Sequence, residues 1–162
     1  MTTPTYTMPL DTPVGRLVLE SDGDVLIGIW LPTDPKRVRG AASGSGHDAP
    51  PVLKDAATQL EEYFAGERTE FSVTMELDVT VFQREVWAEL ARIPYGETIS
   101  YGELARRVGR PRGPRAVGQA NGKNPIPIIV PCHRVLAGNG IGGYGGGLPM
   151  KRALLAVEGV TA

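Results

Sequence analysis

Near Val79 the chain changes the sign of its charge. Residues 1–79 carry 6 Lys and Arg against 13 Asp and Glu, a net of −7, while residues 80–162 carry 11 against 5, a net of +6. The first part mixes alternating strand patterns with one helical stripe, and the second part reads mainly as helices. The 162 residues therefore read as an α+β protein in two parts, 1–78 and 79–162. That length is enough to bury a real core.

In the first part, residues 5–31 read as an antiparallel meander. Leu17 to Glu20 and Val25 to Leu31 flank Ser21-Asp22-Gly23-Asp24, and Asp-Gly tolerates the positive φ of a tight turn. Residues 32–51 are rich in Pro, Gly, Ser and charge without periodicity, and read as a surface loop. Val52, Ala56, Leu60 and Phe64 make an i, i+4 stripe that predicts a helix over 51–65 closed by Gly66. Phe71, Val73, Met75 and Leu77 alternate with polar residues and predict a strand over 70–77. No catalytic constellation stands out in this part.

In the second part, Thr80 to Gln83 carries a capping-box signature, and Phe82, Val86, Leu90 and Ile93 line one face of the helix that follows. Ser100 to Glu103 is a second such signature, predicting a short helix through about Val108. After the basic turn Gly109-Arg110-Pro111-Arg112, Pro114 at a first helical position opens a helix ended by Gly122. Two short helices across a tight turn fit a helix-turn-helix, and pack as commonly in other settings. Pro149 opens a last helix through about Glu158, capped by Gly159.

The one cysteine, Cys132, lies in Pro131-Cys132-His133-Arg134-Val135, after the stiff run Ile126-Pro127-Ile128-Ile129-Val130. Imidazole and guanidinium neighbours favour thiolate, the attacking form. A lone cysteine reads equally as a small buried hydrophobe. It forms no internal disulfide, and with only His47 and His133 no zinc set is available, so no metal is expected. Gly138, Gly140 and Gly143 spell a formal G-x-G-x-x-G, but the apolar run stops at Pro131 and the helix starts near Pro149, so the dinucleotide geometry fails. The seven glycines between Gly138 and Gly147 read instead as a pocket wall that a flat ligand approaches closely, with Tyr144 in its middle. Glu158 sits where the helix dipole disfavours a carboxylate, so it is either a solvated surface residue or the partner of His133 in a Cys/His/acid set. No stretch approaches the ~20 apolar residues of a membrane helix, and no membrane partner is expected. Met1-Thr2-Thr3-Pro4-Thr5 lacks the start of an export signal, so the expected location is cytoplasmic.

Several of these segments, taken together, resemble the O6-alkylguanine-DNA alkyltransferases. They are Ile99 to Ala105, Arg115-Ala116-Val117-Gly118, Asn124-Pro125-Ile126-Pro127, Pro131 to Val135, and Tyr144 followed by two glycines, in unbroken order from about Phe82 to Gly159. Thr12-Pro13-Val14-Gly15 and Tyr63 to Glu67 agree more loosely. The resemblance implies a ribonuclease-H-like N-terminal domain and a helical, winged helix-turn-helix-like C-terminal domain. It implies suicidal, stoichiometric transfer of an alkyl group from O6-alkylguanine, chiefly O6-methylguanine, to Cys132, with no cofactor. His133 would act as base through a water, Glu158 would orient it, and Asn124 would hold the turn. Tyr101 would crowd the target phosphate and donate to guanine N3. Arg115 would fill the vacated stack from the minor groove of double-stranded DNA, with Ala116, Gly118 and Lys123 also facing DNA. Pro127, Val135, Tyr144 and Gly145 would enclose the base. Gly145 stands where many relatives place a serine, leaving only a backbone N–H toward O6, and the loop from Val135 to Tyr144 is one residue shorter than in some members. A monomer in solution is expected, with cooperative assembly on DNA left open. From the residues alone two other classes stay open. One is a DNA-binding regulator with an inert Cys132. The other is a cysteine hydrolase, weakened because adjacent residues on a strand face opposite ways.

Overall fold

The computed structural model describes residues 5–32, 49–76, 80–109, 113–138, 140–144 and 147–160. Two compact units, Met1–Leu77 and Asp78–Ala162, are each described by themselves. In the first, β1 (Tyr6–Thr12), β2 (Gly15–Ser21) and β3 (Leu26–Trp30) form an antiparallel meander in that order. The register pairs Met8 with Leu19 and Val18 with Trp30. Its second turn is built as the Asp-Gly signal implies. Gly23 adopts φ 113°, and Asp22 Oδ1 accepts from the backbone of Asp24 and Val25.

Helix α1 (Pro51–Phe64) covers this sheet with Leu53, Ala56, Ala57, Leu60 and Tyr63. Val52 and Phe64, the ends of the expected stripe, are only half-buried. A strict i, i+4 row drifts around a helix of 3.6 residues per turn, so its ends leave the core while i+3 neighbours replace them. The strand expected at 70–77 reduces to one parallel bridge between Leu26 and Met75. The cause is Gln59, whose buried amide accepts from the Ser72 backbone at 2.9 Å and donates to the Ser72 hydroxyl at 3.2 Å. Residue 77 and residues 33–48, where a surface loop with His47 was expected, lie outside the described residues, as do Arg110 to Arg112.

In the second unit, α2 (Val81–Leu90) starts from Thr80 with both halves of its capping box made. It ends three residues short of Ile93, which is nevertheless buried. Helix α3 (Tyr101–Arg107) is capped by Ser100, but its box is only half made. Glu103 turns its carboxylate to Arg106 and Arg107. Helix α4 (Pro114–Gly122) packs on α2 and α3 through buried Val117 and Ala120, and Trp87 donates to the Ala120 carbonyl at 3.1 Å. Two short parallel strands, β4 (Ile99–Ser100) and β5 (Val135–Leu136), join the start of α3 to the residues after Cys132. Helix α5 (Leu148–Val157) packs against a 3-10 turn, Cys132–Arg134. No described helix is long and apolar enough to cross a membrane.

Candidate active site around Cys132

Cys132 opens the 3-10 turn, so it and His133 are not neighbours on a strand, and successive side chains point roughly a third of a turn apart. The segment before it is tightly held. Asn124 Nδ2 donates to the Val130 carbonyl at 2.7 Å and its Oδ1 accepts from the Ile126 backbone at 2.9 Å. The Cys132 N–H reaches back to the Val130 carbonyl at 2.8 Å, across Pro131 at φ −81°, ψ 65°. That is an inverse γ-turn. Ile128, fully buried, is held at φ 75°, a strained conformation for a β-branched residue.

Behind the turn lies a buried ionic cluster. Glu158, the residue capping α5, places Oε2 2.6 Å from His133 Nε2. Arg134 reaches the same carboxylate through Nε at 2.8 Å and Nη2 at 3.1 Å, and the Gly96 N–H adds a contact at 3.2 Å. Arg134 also donates to the Ile93 carbonyl at 2.6 Å. With Nε2–H committed to Glu158, His133 Nδ1 is left as an acceptor. It is fully buried and finds no partner among the described residues. Burial keeps the imidazole below its ordinary pKa, against the pull of Glu158. The resting histidine is therefore neutral at pH 7.

The thiol departs from the reading of an electropositive, pre-ionised cysteine. Burial pushes the Cys132 thiol up, while hydrogen bonds from Asn124 and Tyr144 and the charge of Lys151 act the other way. The residue is 5% exposed. The neighbours in sequence do not supply the expected field, because His133 is neutral and Arg134 is neutralised by Glu158. Positive charge comes from Lys151, which sequence reasoning missed. Its Nζ donates to the carbonyls of Val135, Ile141 and Gly143 at 2.7, 2.6 and 3.0 Å, and lies 5.9 Å from the centre of the Tyr101 ring. Burial brings this ammonium down to about 8. The available signal was position, because Lys151 falls on the apolar stripe of α5 with Met150, Leu154 and Leu155.

Tyr101, at the start of α3, makes a long contact from its hydroxyl to the Gly143 carbonyl, 3.5 Å. A Cβ on Gly142 would stand 3.2 Å from its ring, so a glycine there lets the loop close on the tyrosine. Gly118 is half-buried beside the same ring. Arg115, Ala116, Gln119, Gly122 and Lys123 form the exposed face of α4 and its cap. Pro127 and Val135 are buried in the interior, Tyr144 is half-buried, and Gly145 lies outside the described residues. Among the described residues no three of His, Cys, Asp and Glu gather as a metal site.

The ribonuclease-like domain of 6-O-methylguanine DNA methyltransferase matches residues 5–77, and the DNA binding domain of the same protein matches residues 81–160. The methylated-DNA–protein-cysteine methyltransferase of Mycobacterium tuberculosis is 48% identical over 153 residues, covering 92% of this chain and 89% of its own. The constitutive enzyme of that name from Bacillus subtilis is 41% identical over 159 residues, with 96% of each chain covered. A crystal structure of the M. tuberculosis protein in complex with DNA superposes with a TM-score of 0.84 at 47% identity, over 94% of this chain and 92% of that one. The chain belongs to the 6-O-methylguanine DNA methyltransferase family. Membership in this methyltransferase family accounts for both the ribonuclease-like first unit and the helical second one.

Proposed function

We propose that this chain repairs DNA by moving the alkyl group of O6-alkylguanine, chiefly O6-methylguanine, irreversibly onto Cys132. The observation that carries the reading is a complementary pair of protonation states. Burial keeps the Cys132 thiol protonated, and the next residue is a neutral imidazole whose Nδ1 is uncommitted. The thiol proton passes to His133 Nδ1 through a bridging water, which the angular separation on the 3-10 turn requires. Glu158 holds Nε2–H and stabilises the imidazolium that forms. The sulfur attacks the alkyl carbon, a C–S bond forms, the C–O6 bond breaks, and guanine leaves with the proton returned to it. No cofactor enters this balance, and the thioether ends the protein's activity after one turnover.

A base inside a duplex is out of reach, so the guanine is flipped. Tyr101 crowds the target phosphate and donates to N3, and Arg115 fills the vacated stack from the minor groove. Ala116, Gly118 and Lys123 line the DNA-facing helix, and Pro127, Val135, Tyr144 and Gly145 enclose the base. The exposed small residues of α4, flanked by Arg115 and Lys123, support this assignment. All the chemistry comes from one chain, so a monomer suffices. A cytoplasmic setting keeps its thiol reduced.

The test is incubation with duplex DNA containing O6-methylguanine, followed by mass spectrometry of the peptide holding Cys132. A permanent gain of one methylene is expected, and Cys132→Ala should abolish transfer while still binding DNA. Retained transfer in that variant would refute the mechanism.

A further inference from the structure

Arg134 is buried and turns its whole fork into the site. Its Nε donates to Glu158 Oε1 at 2.8 Å and its Nη2 to Oε2 at 3.1 Å, so it holds both oxygens of the carboxylate. Oε2 is also the oxygen 2.6 Å from His133 Nε2. The guanidinium is fixed from its other side as well. Nη1 donates to the Ile93 carbonyl at 2.6 Å, and the central carbon lies 5.9 Å from the centre of the Tyr95 ring. Tyr95 in turn donates to the carbonyl of Val157, next to Glu158 in the chain, at 3.0 Å. A buried ion pair adds little stability over an apolar core of the same shape, so stability alone does not call for a guanidinium here. What the arrangement decides is where protons sit. A carboxylate buried without a cation draws a proton to itself or to a titratable neighbour, and here that neighbour is His133.

We infer that Arg134 is a positioning residue of the transfer site, and that by occupying both oxygens of Glu158 it keeps a second proton off the His133–Glu158 pair. With the guanidinium in place the pair shares one proton, on Nε2, and Nδ1 keeps the lone pair that takes the thiol proton. Without it the pair binds a second proton, and either location removes that lone pair. On the histidine, the proton makes an imidazolium with hydrogens on both nitrogens. On the carboxyl group, it makes Glu158 the donor to Nε2, and the ring's own hydrogen moves to Nδ1. Both forms leave nothing to accept from Cys132. The charged groups bearing on His133 are Glu158 at the cap of α5, Lys151 on α5 and Arg134 on its own turn, with the Cys132 thiol beside it. Helix α2, which also packs on the turn, buries Val86, Trp87 and Leu90, none of which titrates. The inference rests on the proposed alkyl transfer, and specifies how its base is kept ready.

The experiment measures single-turnover methyl transfer from O6-methylguanine duplex across about pH 5 to 8, where histidine titrates. Nitrogen NMR of the imidazole accompanies it, in a His47→Gln background that leaves His133 as the one histidine. Wild type should show a neutral ring at pH 7 with its hydrogen on Nε2. Arg134→Met should show hydrogen on Nδ1. The acid limb of its rate profile should lie about 1–3 pH units higher, the shift that one lost neighbouring charge produces, and each unit slows transfer about tenfold at a fixed pH below the limb. Arg134→Lys, which keeps the charge, should return both the spectrum and the limb toward wild type. Arg134→Gln is the second neutral variant should methionine prevent folding, and it should behave as methionine does. A folded neutral variant slowed by the same factor at every pH, with the hydrogen still on Nε2, would reduce Arg134 to a strut and overturn the inference. A wild type with Nδ1 already protonated at pH 7 would overturn it whatever the variants do. Absence of any Cys132 adduct would instead strike the proposed function, leaving the spectra to decide on Arg134.

Discussion

A carboxylate at the C-terminal end of a helix is repelled by the helix dipole, and Glu158 is buried there as well. Its position makes sense only with its partners. Arg134 neutralises it, and His133 and the Gly96 N–H add hydrogen bonds to it. Glu158→Gln keeps the shape but leaves the Arg134 charge unpaired, which costs about 3–5 kcal/mol of stability when a buried pair is broken. It also weakens His133 as a base, and transfer should slow by about 10²-fold. Denaturant melts and single-turnover rates check the two effects separately. The other buried titrating groups give the fold a pH signature. His133 in the folded chain refuses a proton that the unfolded chain takes below 6.5, so stability falls as pH drops through that region. Lys151 in the folded chain gives up its proton at about 8, whereas the unfolded chain keeps it to 10.5, so its contribution to stability should rise across that alkaline window, against the opposite contribution of the raised Cys132 thiol. Melts of Lys151→Met should lack the alkaline rise; a rise that persists in the variant would assign it to another group.

At the scale of elements, α4 is where reading and structure can be compared most closely. Its start at Pro114 and its end near Gly122 follow from proline and glycine chemistry, and are found there. Its exposed face, with Arg115, Ala116 and Lys123, was expected only from the family resemblance, since local pattern groups Ala116 with the buried Val117 and Ala120. Arg115→Ala should therefore slow repair of duplex DNA by about tenfold through lost support for base extrusion. Reaction with free O6-benzylguanine, which needs no extrusion, should be unchanged, and equal losses on both substrates would remove the role. What stayed illegible shares one cause. The failed strand at 70–77, the half-made box at Glu103, the pairing of Arg134 with Glu158 and the inward turn of Lys151 each depend on a side chain choosing a partner far away in sequence or on the next turn. Local pattern states which residues want a partner and leaves the choice to tertiary packing. The cysteine shows the same limit in its electrostatics. Adjacent positive residues in sequence predicted an ionised thiol, whereas burial and the carboxylate of Glu158 cancel that field.

For the molecule as a whole, the charge available to DNA is smaller than the sequence count implies. Of the 11 basic residues after Val79, Arg134 and Lys151 are buried, while Arg106 and Arg107 share Glu103. On the proposed reading, the exposed cations at the edge of α4, Arg115 and Lys123, would make phosphate contacts. Each phosphate contact contributes about 0.9 to the slope of log affinity against log salt. Lys123→Ala should lower that slope by about 1 and weaken methylated and unmethylated duplexes by the same factor, because a phosphate contact carries no base information. Once Cys132 is saturated with bound DNA, the rate of methyl transfer should be unchanged, since Lys123 lies on the exposed face and not beside the thiol. Fluorescence anisotropy across a salt series, on both duplexes, measures the slope directly. A selective loss on the methylated duplex would place Lys123 at the lesion instead of on the backbone.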